Sequence, residues 1–240
     1  MATADLVYPA ALAAANEQLA RMTAPERIAW ALDQFPGEVV LSTSFGAQSA
    51  VMLSLAVQAE PDLPVILVDT GYLFTETYRF ADLLTARFNL NLHVYRPEVS
   101  AAWFEARHGR LWEQGSAGLA EYNRQAKVEP MERALRDLEA SAWLAGLRRD
   151  QTASRRDLPI LTWQNGRMKI LPIVDWTEQE VRQYLADQAL PFHPLWERGY
   201  VSVGDTHTTR PVSAEVPPEH TRFAGQKREC GLHDYYGAMI

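Results

Sequence analysis

The sequence has a single cysteine, Cys230, among 240 residues. That scarcity excludes an intrachain disulfide framework, and it excludes any zinc or iron–sulfur site held by several cysteines of one chain. Long apolar runs are also missing: no stretch of about 18 apolar residues occurs. The opening Met1-Ala2-Thr3-Ala4-Asp5 carries no basic region followed by an apolar one, so a soluble cytoplasmic protein is expected. Positive charge is in short supply, 23 Lys and Arg against 30 Asp and Glu for a net −7. This argues against broad nucleic-acid or membrane binding and leaves an anionic ligand to a local cluster of cations. Repeats and low-complexity linkers are absent as well.

What is present is ordinary globular composition, 47% hydrophobic, with an α/β pattern. Thr23-Ala24-Pro25-Glu26 has the form of a capping box with an early proline, and Ile28, Ala29, Leu32 and Phe35 follow at helical spacing before Pro36-Gly37. Buried strands over 39–41, 64–68, 92–95 and 142–145 then alternate with helices over 49–59, 75–88 and 130–138. That order is the signature of a parallel sheet with crossover helices. Asn165-Gly166 between two β-rich runs predicts a hairpin, and Thr177-Glu178-Gln179-Glu180 opens another helix. The last forty residues show no period and are expected to form irregular coil and a mobile tail.

Five stretches carry chemistry. Ser42-Thr43-Ser44-Phe45-Gly46-Ala47-Gln48-Ser49 joins a strand end to a helix start, where hydroxyls, a glycine and backbone N–H groups form an anion site. No Gly-Lys-Ser/Thr follows, so it is not a Walker loop; a plain helix cap is the alternative. Asp69-Thr70-Gly71-Tyr72-Leu73-Phe74 follows the second strand and would line the same crevice; a tight turn with Asp69 as its cap is the alternative. Arg148 and Arg149 follow the fourth strand, on the same edge, and Arg suits bidentate phosphate recognition. Lys127, Arg155, Arg156, Arg210, Arg222, Lys227 and Arg228 are further cations of the second half. Ser202-Val203-Gly204-Asp205-Thr206-His207-Thr208-Thr209-Arg210 is a hydroxyl-rich loop suited to a polar or anionic ligand, and its alternating pattern also fits an ordinary turn. No metal is expected there, because His193 and His233 do not fall at helical ligand spacing with Asp205 and His207. Lys227-Arg228-Glu229-Cys230-Gly231-Leu232-His233 sets the lone thiol among cations that favour its thiolate, although a buried, inert cysteine is the commoner state.

Together these stretches resemble the 3′-phosphoadenylyl-sulfate (PAPS) reductases of bacterial sulfate assimilation, of the single-cysteine, thioredoxin-dependent type. The matching runs are Ser44-Phe45-Gly46, Asp69 through Phe74, Lys127-Val128-Glu129-Pro130-Met131, Gly146-Leu147-Arg148-Arg149, Leu171-Pro172-Ile173 through Trp176, Tyr200 through Arg210, and Glu229-Cys230-Gly231-Leu232-His233. The resemblance implies an adenine nucleotide alpha-hydrolase-like fold related to the ATP pyrophosphatases, with helices on both faces of a parallel sheet. It implies one domain over 1–240, with N-terminal helices over 1–37, a nucleotide-binding core over 38–210 and a catalytic tail over 211–240, usually in a homodimer. By the same resemblance Ser42, Thr43, Ser44, Phe45, Gly46 and Gln48, with Asp69, Thr70 and Gly71, would hold the nucleotide. Lys127, Arg148, Arg149, His207, Arg210 and Lys227 would surround its charged groups, and Cys230 would attack sulfur with Arg228 and His233 beside it. Products would be sulfite and adenosine 3′,5′-bisphosphate (PAP), with reduced thioredoxin, or glutaredoxin, as donor.

Related reductases of adenylyl sulfate carry a Cys-Cys pair and a Cys-x-x-Cys that hold an iron–sulfur cluster. At those places this chain has Tyr122, Asn123, Asp205 and Thr208, so no iron–sulfur cofactor is expected. Three alternatives remain: cluster-free reduction of adenylyl sulfate, an ATP-dependent adenylyltransferase or pyrophosphatase, and a non-catalytic nucleotide sensor. Phe45, Ala47 and Gln48 break the Ser-Gly-Gly-x-Asp-Ser loop of the second.

Overall fold

Five short strands rich in aliphatic residues lie parallel in one sheet, with a sixth turned back along its edge. A computed structural model describes residues 6, 8–213, 216–217 and 220–223; Lys227, Arg228, Cys230 and His233 lie outside the described residues. The strands are β1 (Val39–Ser42), β2 (Pro64–Val68), β3 (Asn91–Tyr95), β4 (Ala142–Ala145), β5 (Leu161–Gln164) and β6 (Arg167–Ile170), in the order β3-β2-β1-β4-β6-β5. Among the strands of the described residues, only the β5–β6 pair is antiparallel. Its turn is Asn165-Gly166, with φ of 52° and 80°, the left-handed pair that suits the twist of a two-residue hairpin.

The helices are α1 (Pro9–Leu19), α2 (Ala24–Gln34), α3 (Ala50–Ala59), α4 (Thr75–Phe88), α5 (Ala101–His108), α6 (Gly115–Asn123), α7 (Glu129–Asp137) and α8 (Glu178–Asp187). From β1 the chain winds outward through β2 to β3, and then returns through α5, α6 and α7 to place β4 on the other side of β1. Right-handed crossovers in opposite directions put α3 and α4 on one face and α7 on the other. α3 packs against α2, α4 and α8, and α7 packs against β2 and β3. Enclosure explains the composition of α3, in which every residue from Ala50 to Ala56 is buried.

Two polar devices anchor this frame. Arg27 of α2 is 2% exposed, and its guanidinium donates to the carbonyls of Leu19 and Pro172 and, at 2.7 Å twice, to the Asp175 carboxylate. It thereby fixes the turn after β6. Asn16 of α1 receives the Leu161 N–H at 2.9 Å and donates to the Leu161 carbonyl at 2.8 Å, so one side-chain amide covers part of the sheet's outer edge.

Helices α5 and α6 were not anticipated between β3 and α7. Gly109, Gly115 and Gly118 interrupt that stretch and mask its periodicity, yet Phe104, Leu111, Leu119, Tyr122 and Ala126 build a second apolar cluster with Phe223. Five residues of π-helix, Arg124–Val128, join α6 to α7. Among the described residues no helix is long and apolar enough to cross a membrane.

Candidate functional site

The strand order reverses between β1 and β4, and in open parallel sheets ligands lie outside the carboxyl ends of the strands at such a reversal. Ser42 and Ala145 are register partners, so the loops that begin at Thr43 and Gly146 leave the sheet side by side. A Cβ at Gly146 would come 2.9 Å from Met52; glycine there lets α3 approach the strand end.

The first loop is held by its own polar groups. Ser42 Oγ accepts the Trp143 indole N–H at 2.6 Å, and Thr43 Oγ1 accepts the Phe45 N–H at 3.0 Å. Phe45 is fully buried at φ 46°, a left-handed conformation costing a non-glycine residue roughly 1 kcal/mol; its buried ring holds the loop in that shape. Ser44 is exposed at the loop tip, and Gly46 precedes the amino end of α3. His193 closes the loop from behind: its backbone N–H donates to the Ala47 carbonyl at 3.2 Å. Its Nδ1 accepts the Leu195 N–H, which leaves Nε2–H to donate to Thr77 Oγ1 at 3.0 Å. Burial pushes this imidazole down to about 4, against the opposing charge of Glu76.

Arg148 and Gln48 meet across the two loops. The Arg148 side chain is 4% exposed. Its Nη2 donates to Gln48 Oε1 at 2.7 Å and to Glu178 Oε2 at 3.0 Å, while Gln48 Nε2 donates to the same carboxylate at 2.7 and 2.8 Å. Arg149 lies alongside, its Nε donating to the Leu158 carbonyl at 2.8 Å.

The loop after β2 is also bonded to protein. Burial acts to raise the Asp69 carboxyl, but bonds from Tyr78 (2.7 Å), Arg96 (2.8 Å) and the Gly71 N–H (2.9 Å) outweigh it and lower it below its ordinary range. Thr70 donates to Asp205 Oδ1 at 2.6 Å.

Asp205 is 1% exposed. Its Oδ2 accepts the Lys127 ammonium at 2.6 Å and the Tyr122 hydroxyl at 3.1 Å. Burial would raise this carboxyl; the Lys127 charge and the hydroxyl bonds override it and hold it at about 2. Lys127 is itself buried, carried on the π-helical turn. The segment from 205 to 209 is thus tied to α6, to the turn before α7 and to the β2 loop, with Thr206 N–H donating to the Tyr72 carbonyl at 2.9 Å. His207 stacks on Trp112 with ring centres 3.7 Å apart and meets Tyr72 and Tyr122 edge-on. Among the described residues neither of its ring nitrogens has a hydrogen-bond partner, and burial depresses it to about 4 despite nearby Asp205. Arg210 is exposed just beyond.

Residues 42–48, 69–71, 148 and 149 therefore follow strand ends on one edge of the sheet, and Lys127 and His207 join them through Asp205 and Tyr72, but their side chains differ in availability. Ser44 and Arg210 face solvent, whereas Asp69, Lys127 and Arg148 are engaged by protein partners. Three partners were not foreseen in these roles. Asp205 balances Lys127, Glu178 receives Gln48 and Arg148, and Trp112 carries His207. Glu178 was legible only as the first helical residue of a capping box, and Trp112 carried no signal. Among the described residues no group of three or more His, Cys, Asp or Glu side chains is placed to hold a metal ion.

The family model for the phosphoadenosine phosphosulfate reductase domain matches residues 38–211. Among curated proteins, the chain is 58% identical over 225 residues to a phosphoadenosine 5′-phosphosulfate reductase of Pectobacterium carotovorum, spanning 94% of this chain and 92% of that one. A protein of the same name from Cronobacter sakazakii is 59% identical over 224 residues, spanning 93% and 92%. Among solved structures, the phosphate complex of a phosphoadenylyl-sulfate reductase from Candida auris superposes with a TM-score of 0.75 at 30% identity, covering 85% of this chain and 98% of that one. The FMN adenylyltransferase of Candida glabrata, at 17% identity and a TM-score of 0.60 over 82% of this chain and 64% of that one, shares the fold alone.

Proposed function

Because the chain belongs to the phosphoadenosine phosphosulfate reductase domain family, we propose that it reduces PAPS to sulfite and PAP in assimilatory sulfate reduction. The observation that carries this reading is the convergence, at the β1/β4 reversal, of an anion-type loop with a rim of basic residues in a chain of net negative charge. The loop's backbone and hydroxyls receive the nucleotide. Arg149 and Arg210 supply positive charge to its phosphate and sulfate groups, and Lys127, Arg148 and His207 shape the rim from behind. Lys227 and Arg228 join them from the tail.

In the first step the Cys230 thiolate forms a bond to the sulfonyl sulfur as the sulfur–oxygen bond to phosphate breaks, and PAP departs with the electron pair. Charge grows on the leaving phosphate and the sulfonyl oxygens, and one well-placed donor stabilises such charge by roughly 3–4 kcal/mol. In the second step a thiolate of reduced thioredoxin attacks Cys230 Sγ and expels sulfite. Its second thiol then releases Cys230 and leaves thioredoxin as the disulfide, which accounts for both electrons. An external dithiol is required because the chain has no second cysteine. His233 orients the thiol or the sulfonate. The chain functions as one domain, in a homodimer, in the cytoplasm.

With PAPS and no reductant, the expected result is one PAP per chain and a Cys230 peptide heavier by one SO₃ group. PAP release without that adduct would overturn the covalent route. Comparison of kcat/KM for PAPS and adenylyl sulfate should favour PAPS; a preference for the second would assign the chain to the cluster-free alternative.

A further inference from the structure

Glu178 has no role in the reading above, yet it is the point where three parts of the rim converge. It is the first residue of α8, and its backbone N–H donates to Asp150 Oδ2 at 2.8 Å, which fastens the helix start to the loop after β4. Its carboxylate takes both Gln48 contacts, the Arg148 Nη2 contact at 3.0 Å and the Arg182 Nε contact at 3.0 Å. Arg148 Nη1 is occupied by the Trp176 carbonyl at 3.3 Å and lies 3.8 Å from Asp150. Arg148 therefore has its charge balanced inside the protein. Gln48 is fixed in one amide orientation, because its oxygen must face the guanidinium and its nitrogen the carboxylate.

We infer that Glu178 is a positioning residue for the substrate loop: by clamping Gln48 and Arg148 in one triangle it sets the height of residues 43–48 above the sheet, and hence affinity for the nucleotide. The inference rests on the functional reading above. Gln48 lies two residues before α3, so a shift of its side chain moves the backbone between Gly46 and Ser49 that leads into the helix. Without the carboxylate, Gln48 Nε2 loses its charged acceptor and Arg148 keeps only the more distant Asp150 carboxylate, at 3.8 Å, to balance its charge. The side chain of Glu178 is 39% exposed, so its removal opens no core cavity. The chemical step, which belongs to the tail, is untouched.

The test uses the full chain with Glu178→Gln and Glu178→Ala. PAP affinity is measured by calorimetry, kcat and KM for PAPS with reduced thioredoxin, and folding by thermal denaturation. Loss of a charge-assisted bond corresponds to roughly a tenfold change in affinity. The expected result is a rise of about that size in both the PAP Kd and the PAPS KM, with kcat within about twofold. Thr177→Ala, which removes the neighbouring helix cap, should lower the melting temperature and leave Kd unchanged. The inference is overturned by an unchanged Kd in both Glu178 variants, by a fall in kcat at constant KM, or by Thr177→Ala raising Kd equally, since that would mark general loosening of α8. Failure of the functional reading looks different: the wild-type chain itself would bind no PAP and make no sulfite.

Discussion

At the residue scale the decisive group is Asp205. A carboxylate with 1% exposure is tolerable only because Lys127, Thr70 and Tyr122 supply three donors within 3.1 Å. Asp205→Asn keeps the shape but strands the Lys127 ammonium in the interior. Breaking a buried pair in this way costs about 3–5 kcal/mol. Urea unfolding should show a loss of that order, and a loss below about 1 kcal/mol would mean that the pair is solvated in solution. Lys127 was legible in the sequence as a cation of the rim, but its partner was not. Spacing says nothing about a contact between the turn before α7 and a loop beyond β6, and the two meet only because the second apolar cluster folds against the sheet. The same holds for Arg148 and Glu178, which the sequence assigns to different elements.

At the element scale, legibility followed the strength of the local signal. The apolar runs of β2 and β4, the Thr75–Phe88 helix and the Asn165-Gly166 hairpin appear where the sequence put them, because each combines a clear periodicity or apolar run with turn residues at its ends. Helices α5 and α6 lacked that combination: their glycines read as breaks, and their burial against Phe223 is tertiary. Nor does sequence show which strand ends the sheet. The structure puts β5 there and sets Asn16 against it. Asn16→Ala removes both bonds to Leu161 and leaves a strand N–H and carbonyl to find water. A cost of about 1–2 kcal/mol in thermal or urea unfolding is expected, and no change would mean that α1 contributes only its apolar face.

At the scale of the whole molecule, two enclosed histidines couple folding to pH. His193 and His207 both have folded-state values near 4 against an ordinary 6.5. Between those values the unfolded chain holds the extra protons, so stability is full above about pH 6.5 and falls as pH drops toward 4. For His193, which is 1% exposed, the slope is at most about 1.4 kcal/mol per pH unit; half-buried His207 adds less. Denaturant midpoints across pH 7.5 to about 4.5 should decline on the acid side, and His193→Gln should flatten part of that decline. A constant midpoint over the window would show that the rings are charged in the folded state. Protonation would also turn His193 Nδ1 from the acceptor of the Leu195 N–H into a donor, and should loosen the turn whose backbone holds the Ala47 carbonyl.

The proposed reaction joins a preformed rim to the Cys230 thiol, which lies outside the described residues. That union is tested most directly by sulfite release from PAPS and reduced thioredoxin with Cys230→Ser. The expected result is PAP binding close to wild type and no sulfite; sulfite at a rate near wild type would contradict the account.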